Sequence, residues 1–487
     1  MPKNLMMQFG EILLISCYEL GHQPIGLAFP AAFLERAGFF PDMIDLSIEH
    51  LQSAKIKTAR FVGISVPMHT ALRIGVDAAV HIRQVNPHCH ICFFGLYASL
   101  NQEMLLKDVA DSVIGGEYES SLVSLLESLS LEKYQPVDGV SVKGHLTQPM
   151  ISHLPFPVPK RGNLPPLTRY ALLIEGEKKR TVGYVEASRG CRHHCRHCPI
   201  PPVYNGRFVL IPRDVVMDDI KNLVEMGASH ITFGDPDFLN GPVHALRITR
   251  QLHEMFPEIT FDFTAKVEHL LQNQANLPEF ASLGCIFIIS AVESFSETTL
   301  LCLEKHHTRA DAITAFHLAQ KAGIALRPTF MPFTPWTSLE DTLDLFETIE
   351  QEGMIDYIDP VQFTIRLLIP PGSLLLEEPS LKPYLNVMDQ KKISYQWNHQ
   401  DPRVDQLQKD FSQAVQKGTE LNQDPQTIFY QLKEYTLALL ENREPMDIKD
   451  IVRSSRKRPP RLSEPWFCCA EPMEYQLSSI KETGPSC

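Results

Sequence analysis

The chain has 487 residues, 44% of them hydrophobic and 21% charged, with a formal net charge of -13. That length exceeds one ordinary core and predicts two or three domains, and the acidic balance argues against a protein that coats nucleic acid in bulk. No run approaches the roughly 20 apolar residues of a membrane span. The first residues also lack a signal peptide's features, so a reducing cytoplasm is the expected location, and the eleven cysteines read as ligands, redox groups or buried hydrophobes.

From the N-terminus, residues 11–17 form an apolar run, 26–37 have helical spacing and 43–47 read as a second strand. Strands at 61–66, 91–95 and 112–114 continue the alternation, with helices at 70–85 and 102–108 between them. This pattern predicts an α/β, doubly wound, Rossmann-like domain over 1–135 with ligand contacts at the strand ends, where His22 and His69 fall. Cys89 and Cys92 have redox-motif spacing, but Cys92 enters an apolar strand, which favours burial.

Prolines mark a linker over 136–180. Six strands follow in the segment 181–382, at 181–187, 230–233, 259–265, 285–291, 325–331 and 361–367. They predict an incomplete (β/α)6 TIM-like barrel with its site at the strands' carboxyl ends. Residues 383–452 read as a helical extension, and 453–487 as a basic link and a tail containing Cys468 and Cys469.

Cys191, Cys195 and Cys198 follow the first barrel strand with Cys-X3-Cys-X2-Cys spacing. Three thiolates fill three corners of a cubane iron-sulfur cluster and leave one iron open, whereas a structural site usually takes four ligands. His193, His194 and His197 are interleaved, so a closed Cys3His zinc site is the alternative. Phe-Gly-Asp235-Pro-Asp237-Phe ends the second strand, Lys266 follows the third, and Ser-Ala-Val-Glu293-Ser ends the fourth, with Leu300 and Lys305 downstream.

On these motifs the chain resembles the radical S-adenosylmethionine (SAM) enzymes, in the branch with a cobalamin-binding-type N-terminal domain. The resemblance implies a 4Fe-4S cluster on the three cysteines, with SAM chelated at its open iron and reductively cleaved to a 5′-deoxyadenosyl radical. It implies that Asp235 or Asp237 receives the methionine ammonium and that Glu293 accepts from the ribose hydroxyls or the ammonium. Lys266 would lie over the SAM carboxylate or else be a solvated surface lysine. His197 stands near the adenine, where the family often has an aromatic residue. Cobalamin itself is left open: the Asp-X-His-X-X-Gly element is absent, and Leu96-Tyr97 stands where a Gly-rich loop would admit a nucleotide tail. An external one-electron donor such as flavodoxin or ferredoxin is implied as a partner, with a small-molecule, peptide or nucleotide substrate.

The tail, Trp466-Phe-Cys468-Cys469-Ala-Glu-Pro472, narrows the likeness. It resembles radical SAM proteins named for a terminal Cys-Cys-Ala-Glu-Pro, some reported to carry selenocysteine at the second position. That exchange implies a nucleophilic or redox role for Cys468 and Cys469. The sequence thus leads to a radical SAM enzyme that abstracts hydrogen from an unknown substrate. Cobalamin-dependent methyl transfer and a non-catalytic zinc or redox module are the alternatives.

Overall fold

The structure, a computed structural model, describes residues 10–131, 135–448 and 458–464. Cys468 and Cys469 lie outside the described residues. The N-terminal domain is a sheet built from β1 (Ile12–Ser16), β2 (Asp42–Asp45), β3 (Phe61–Ser65), β4 (His90–Phe94), β5 (Ser112–Ile114) and β6 (Val140–Val142), in the order β2-β1-β3-β4-β5-β6. The first five strands run parallel and β6 pairs antiparallel with β5. The strands read as continuous apolar runs because helices cover both faces. One face packs on the helix Ile25–Arg36, and the other on the helix His69–Val85.

The segment 136–180 is more than the linker expected from its prolines. It supplies β6 to the first domain and β7 (Leu172–Glu175) to the second. Between them an arm runs back over the helix Ile25–Arg36, where Phe156 packs edge-on against Phe29 and Phe33. At Gly116 (φ +71°) a Cβ would sit 2.2 Å from the Met150 carbonyl oxygen, so only glycine lets the arm's backbone come this close. Arg161, on the same arm, grips Asp219 with two bonds of 2.6 and 2.8 Å and also donates to Gln23 and to the Tyr184 carbonyl. One buried guanidinium therefore ties the arm to both domains.

The second domain continues with β8 (Lys178–Val185), the short antiparallel pair β9 (Ser188–Gly190) and β10 (Phe208–Leu210), then β11 (His230–Phe233), β12 (Thr260–Thr264), β13 (Cys285–Glu293) and β14 (Ala325–Phe330). β8, β11, β12, β13 and β14 form a parallel half-barrel, and β7 adds antiparallel at its edge. Capping boxes at Thr308/Asp311 and Ser338/Asp341 start the helices Arg309–Lys321 and Leu339–Gln351. The sixth expected strand, 361–367, is corrected: Pro360–Thr364 is a 3-10 turn, and strand pairing survives only as a bridge between Phe333 and Arg366. Pro360 opens the turn without an N–H, and the Thr364 hydroxyl bonds back to the Val361 carbonyl.

The extension after residue 383 is not wholly helical. β15 (Leu385–Asp389) and β16 (Ser394–Trp397) form a hairpin ahead of the helices Pro402–Glu420 and Pro425–Leu440. Ile393 at the hairpin tip is buried in the N-terminal core, and its carbonyl meets His69 Nε2 at 3.3 Å. His69 is thus a contact between domains. Finally β17 (Arg461–Leu462) adds antiparallel to β7, making the sheet order β14-β13-β12-β11-β8-β7-β17. No described helix is long and apolar enough to cross a membrane.

Candidate active site

The loop carrying Cys191, Cys195 and Cys198 leaves the sheet through β9, and its start is fixed by backbone sterics. Gly190 has φ +80°, and a Cβ there would lie 2.5 Å from the Arg207 carbonyl oxygen. Further along, the Arg192 N–H donates to Asn240 Oδ1 (3.2 Å) and the Arg196 N–H to the Leu303 carbonyl (3.0 Å). The Arg196 guanidinium also bonds Glu378 and Glu304. None of the three cysteines is in a disulfide, and all three line one cavity of about 420 Å³ between the barrel mouth and the strand ends of the N-terminal domain. Burial pushes the Cys191 thiol up to about 12 and the Cys195 thiol up as well. Thiolates at this position therefore need a cationic partner such as a metal.

Glu293 ends β13 where the register with β14 shifts, in a left-handed conformation (φ +69°) rare for a non-glycine residue. Its Oε1 meets His197 Nε2 at 3.2 Å and Lys305 Nζ at 3.4 Å. Burial would push this carboxyl up, but the Lys305 ammonium and the bond with His197 outweigh it and hold it at about 2. Burial lowers His197, with Glu293 opposing. Glu293 Oε2, His197 Nδ1 and the ammonium of Lys266 are buried without hydrogen-bond partners, and all three residues line the cavity. Buried polar atoms are nearly always satisfied, so such a group facing a cavity marks the place of a ligand. The donor set fits a cluster with a zwitterionic cofactor beside it: three thiols, the Lys266 ammonium, which is paired at 3.6 Å with Glu268 but makes no hydrogen bond, and a Glu293 carboxylate oxygen without a hydrogen-bond partner. Lys266 is therefore buried, and the reading of it as a solvated lysine is corrected.

The two aspartates of the Asp-Pro-Asp motif have separate protein partners. Asp235 accepts from the Ala187 N–H (2.9 Å) and the Ser188 hydroxyl (2.5 Å), fixing the entry to the cysteine loop. Burial raises it to about 7 against those donors. Asp237 accepts from the Leu239 and Lys266 N–H groups and from His269 Nδ1 (2.7 Å). His269 Nε2 in turn meets His193 Nε2 at 3.2 Å, so the aspartate reaches the cysteine loop through two imidazoles. Both aspartates line the cavity. His269 was not legible beforehand, because a lone histidine four residues after Asp-Phe-Thr-Ala265 carries no motif.

Arg189, unnoticed in the sequence, precedes the loop and is buried among carboxylates from both domains: Glu119 at 2.7 Å, Glu117 at 3.2 Å and Glu186 at 2.8 Å. His22 stacks on Tyr184 with ring centroids 4.4 Å apart. In the N-terminal domain Cys89 and Cys92 are buried free thiols. The Glu19 carboxylate accepts from the Gly26 N–H (3.2 Å) at the start of the first helix, and Tyr97 is 1% exposed with its ring edge-on to His69. Gly95, Leu96 and Tyr97 line the same cavity as the cluster cysteines.

Residues 185–346 match the family model described as the Radical SAM superfamily. No curated protein sequence matches the chain. Among solved structures, the chain is similar to the cobalamin-dependent S-adenosylmethionine radical enzyme OxsB with aqua-cobalamin and S-adenosylmethionine bound, at 15% identity and TM-score 0.68, covering 90% of this chain and 75% of that one. It is also similar to the radical S-adenosylmethionine methyltransferase TsrM from Kitasatospora setae with cobalamin and a 4Fe-4S cluster bound, at 15% identity and TM-score 0.57, covering 72% of this chain and 74% of that one. At such identity the likeness is one of fold. The chain therefore carries a radical SAM domain, whose cofactors are a 4Fe-4S cluster and SAM, and it is an enzyme.

Proposed function

We propose that the chain binds a 4Fe-4S cluster through Cys191, Cys195 and Cys198 and removes hydrogen from a substrate held between the barrel mouth and the N-terminal domain. What carries the reading is the set of buried polar atoms without a hydrogen bond beside those cysteines: Glu293 Oε2, His197 Nδ1 and Lys266 Nζ, the last ion-paired with Glu268 at 3.6 Å. When bound, the cluster and SAM supply reductive cleavage to a 5′-deoxyadenosyl radical.

The chain's own residues bind, orient and exclude water. Lys266 presents an ammonium to a carboxylate, and Lys305 keeps Glu293 ionised so that its free oxygen accepts from hydroxyl or ammonium groups. Asp235 and Asp237 are positioning residues through Ser188 and through His269, and the cavity-facing backbone of the same turn is left for the cofactor's ammonium. A flavodoxin or ferredoxin serves as electron donor in the cytoplasm, and the substrate is a small molecule, peptide or nucleotide. Cys468 and Cys469 act as a redox pair that engages the intermediate.

A second reading, cobalamin-dependent methyl transfer, is favoured by the fold shared with OxsB and TsrM, although Leu96-Tyr97 stands where a Gly-rich loop would admit a nucleotide tail. Anaerobic reconstitution with iron and sulfide, with and without methylcobalamin, tests both. We expect cluster absorbance and deoxyadenosine formed from SAM under dithionite, both abolished by Cys195→Ala. Retained corrinoid would favour the second reading. One zinc per chain with no deoxyadenosine would sink both.

A further inference from the structure

Beside the cysteine loop lies a second group of metal-ligating side chains. His193 sits on that loop, Asp237 follows β11, and His269 lies on the helix Val267–Gln272 after β12. A ligand atom from each lies within 4.8 Å of the other two. The side chains of His193, Asp237 and His269 are 12%, 1% and 8% exposed, and of the three only Asp237 lines the cavity. The two imidazoles are therefore set apart from the space that the cluster cysteines line.

The protons of this group do not suffice for its contacts. His269 Nδ1 donates to Asp237 at 2.7 Å, so His269 Nε2 carries a lone pair, and it faces His193 Nε2 at 3.2 Å. On its other side His193 Nδ1 faces Glu268 Oε2 at 3.6 Å, and that buried oxygen has no hydrogen-bond partner. A neutral His193 has one N–H for these two acceptors. Given to His269, the proton leaves a nitrogen lone pair against a carboxylate. Kept on Nδ1, it sets two Nε2 lone pairs against each other. A divalent cation shared by the two Nε2 atoms removes the conflict, because both Nδ1 protons then go to carboxylates. Metal-bound histidines ordinarily hand their other N–H to such a group. The spacing also fits: zinc–nitrogen bonds of about 2.0–2.1 Å at a tetrahedral angle put two nitrogens about 3.3 Å apart. The nearby ammonium groups of Lys266 and Lys305 are each paired with a carboxylate, Glu268 and Glu293.

We propose that His193 Nε2 and His269 Nε2 bind a divalent cation such as zinc, with Asp237 and Glu268 orienting the rings and water completing the shell on the exposed side. The ion pins the cysteine loop to the helix Val267–Gln272. It uses none of the cluster's thiols, so it is a second metal site and does not depend on SAM cleavage.

Zinc titration of the full chain after anaerobic cluster loading tests it, because the cysteines are then occupied. One zinc per chain is expected beside the cluster iron, by elemental analysis after desalting. X-ray absorption at the zinc edge should show nitrogen and oxygen at about 2.0–2.1 Å with imidazole scattering, and no sulfur at about 2.3 Å. His193→Gln and His269→Gln should each raise the zinc Kd at least tenfold. Glu268→Gln, which spares both nitrogens, should raise it less, and His88→Gln, at an exposed histidine of the N-terminal domain, should leave it unchanged. Absence of zinc from the wild type would overturn the proposal and leave the imidazoles as a hydrogen-bonded relay. Sulfur in the shell would overturn it in favour of zinc on the thiols. A Kd unchanged in both histidine variants would overturn it as an adventitious ion held elsewhere. Iron content reports folding and cluster loading in each variant; if His269→Gln fails to load, His193→Gln and the wild-type spectrum decide. Deoxyadenosine formation is scored separately and bears on the radical reading alone.

Discussion

Glu293 and Lys305 allow a ligand role to be separated from a structural one. Their side chains are 1% and 3% exposed and meet at 3.4 Å. Glu293→Gln keeps the shape but leaves the Lys305 ammonium buried without its counter-charge, a change that costs about 3–5 kcal/mol. For a domain of this size that lowers the midpoint of thermal unfolding by on the order of 10 °C. Lys305→Met strands Glu293 instead and costs a similar amount. The double variant removes both charges, so most of the lost stability should return, because buried pairs are often replaceable by neutral groups of similar volume. SAM binding should behave differently. Loss of a charge-assisted hydrogen bond is worth about 1.5–3 kcal/mol, so Kd should rise roughly 10- to 150-fold in Glu293→Gln and stay raised in the double variant. The assays are calorimetric unfolding and equilibrium dialysis of labelled SAM on anaerobically reconstituted protein. Recovery of both stability and affinity in the double variant would refute the reasoning and make the pair a strut.

Two further outcomes are expected. Glu19 is raised by burial from 4.5 to about 8, so the folded state keeps a proton that the unfolded chain releases across that window. Its contribution is complete below pH 4.5 and is lost as pH rises toward 8, at about 1.4 kcal/mol per pH unit. Glu19→Gln retains an acceptor for Gly26, so its unfolding midpoint should fall less than the wild type's between pH 5 and 8; parallel curves would count against the assignment. Gly190→Ala forces a side chain into a φ of +80° with its Cβ 2.5 Å from a backbone oxygen. Strain of about 1–3 kcal/mol from the backbone alone, plus the clash, should displace the cysteine loop and cut bound iron severalfold, as measured by iron analysis. Wild-type iron content would contradict it.

Much of the architecture was legible because it is local. Apolar runs of strand length, separated by runs of helical spacing, announce an α/β chain, and Cys191, Cys195 and Cys198 are an adjacent constellation. What escaped the sequence depends on distant partners. Arg161 and Asp219 are 58 residues apart, and His269 meets His193 across 76. The sixth strand failed for a local reason, Pro360, whose effect on an apolar run cannot be told from an edge strand by periodicity. Asp235 and Asp237 were read as ligand contacts because carboxylates at strand ends suit an ammonium. Their partners, Ser188 and His269, come from other strands and loops.

Arg189 has a consequence for how the protein is made. Glu117 and Glu119 belong to the N-terminal domain, yet the guanidinium that neutralises them lies 72 and 70 residues later, beside the cluster loop. On the ribosome the first domain emerges with two carboxylates destined for burial and no cation to meet them. Its final closure must wait for the barrel's first strand to be synthesised. Assembly of the cysteine loop and completion of the N-terminal domain are therefore one event during synthesis, and a severed N-terminal half would inherit an unbalanced interior.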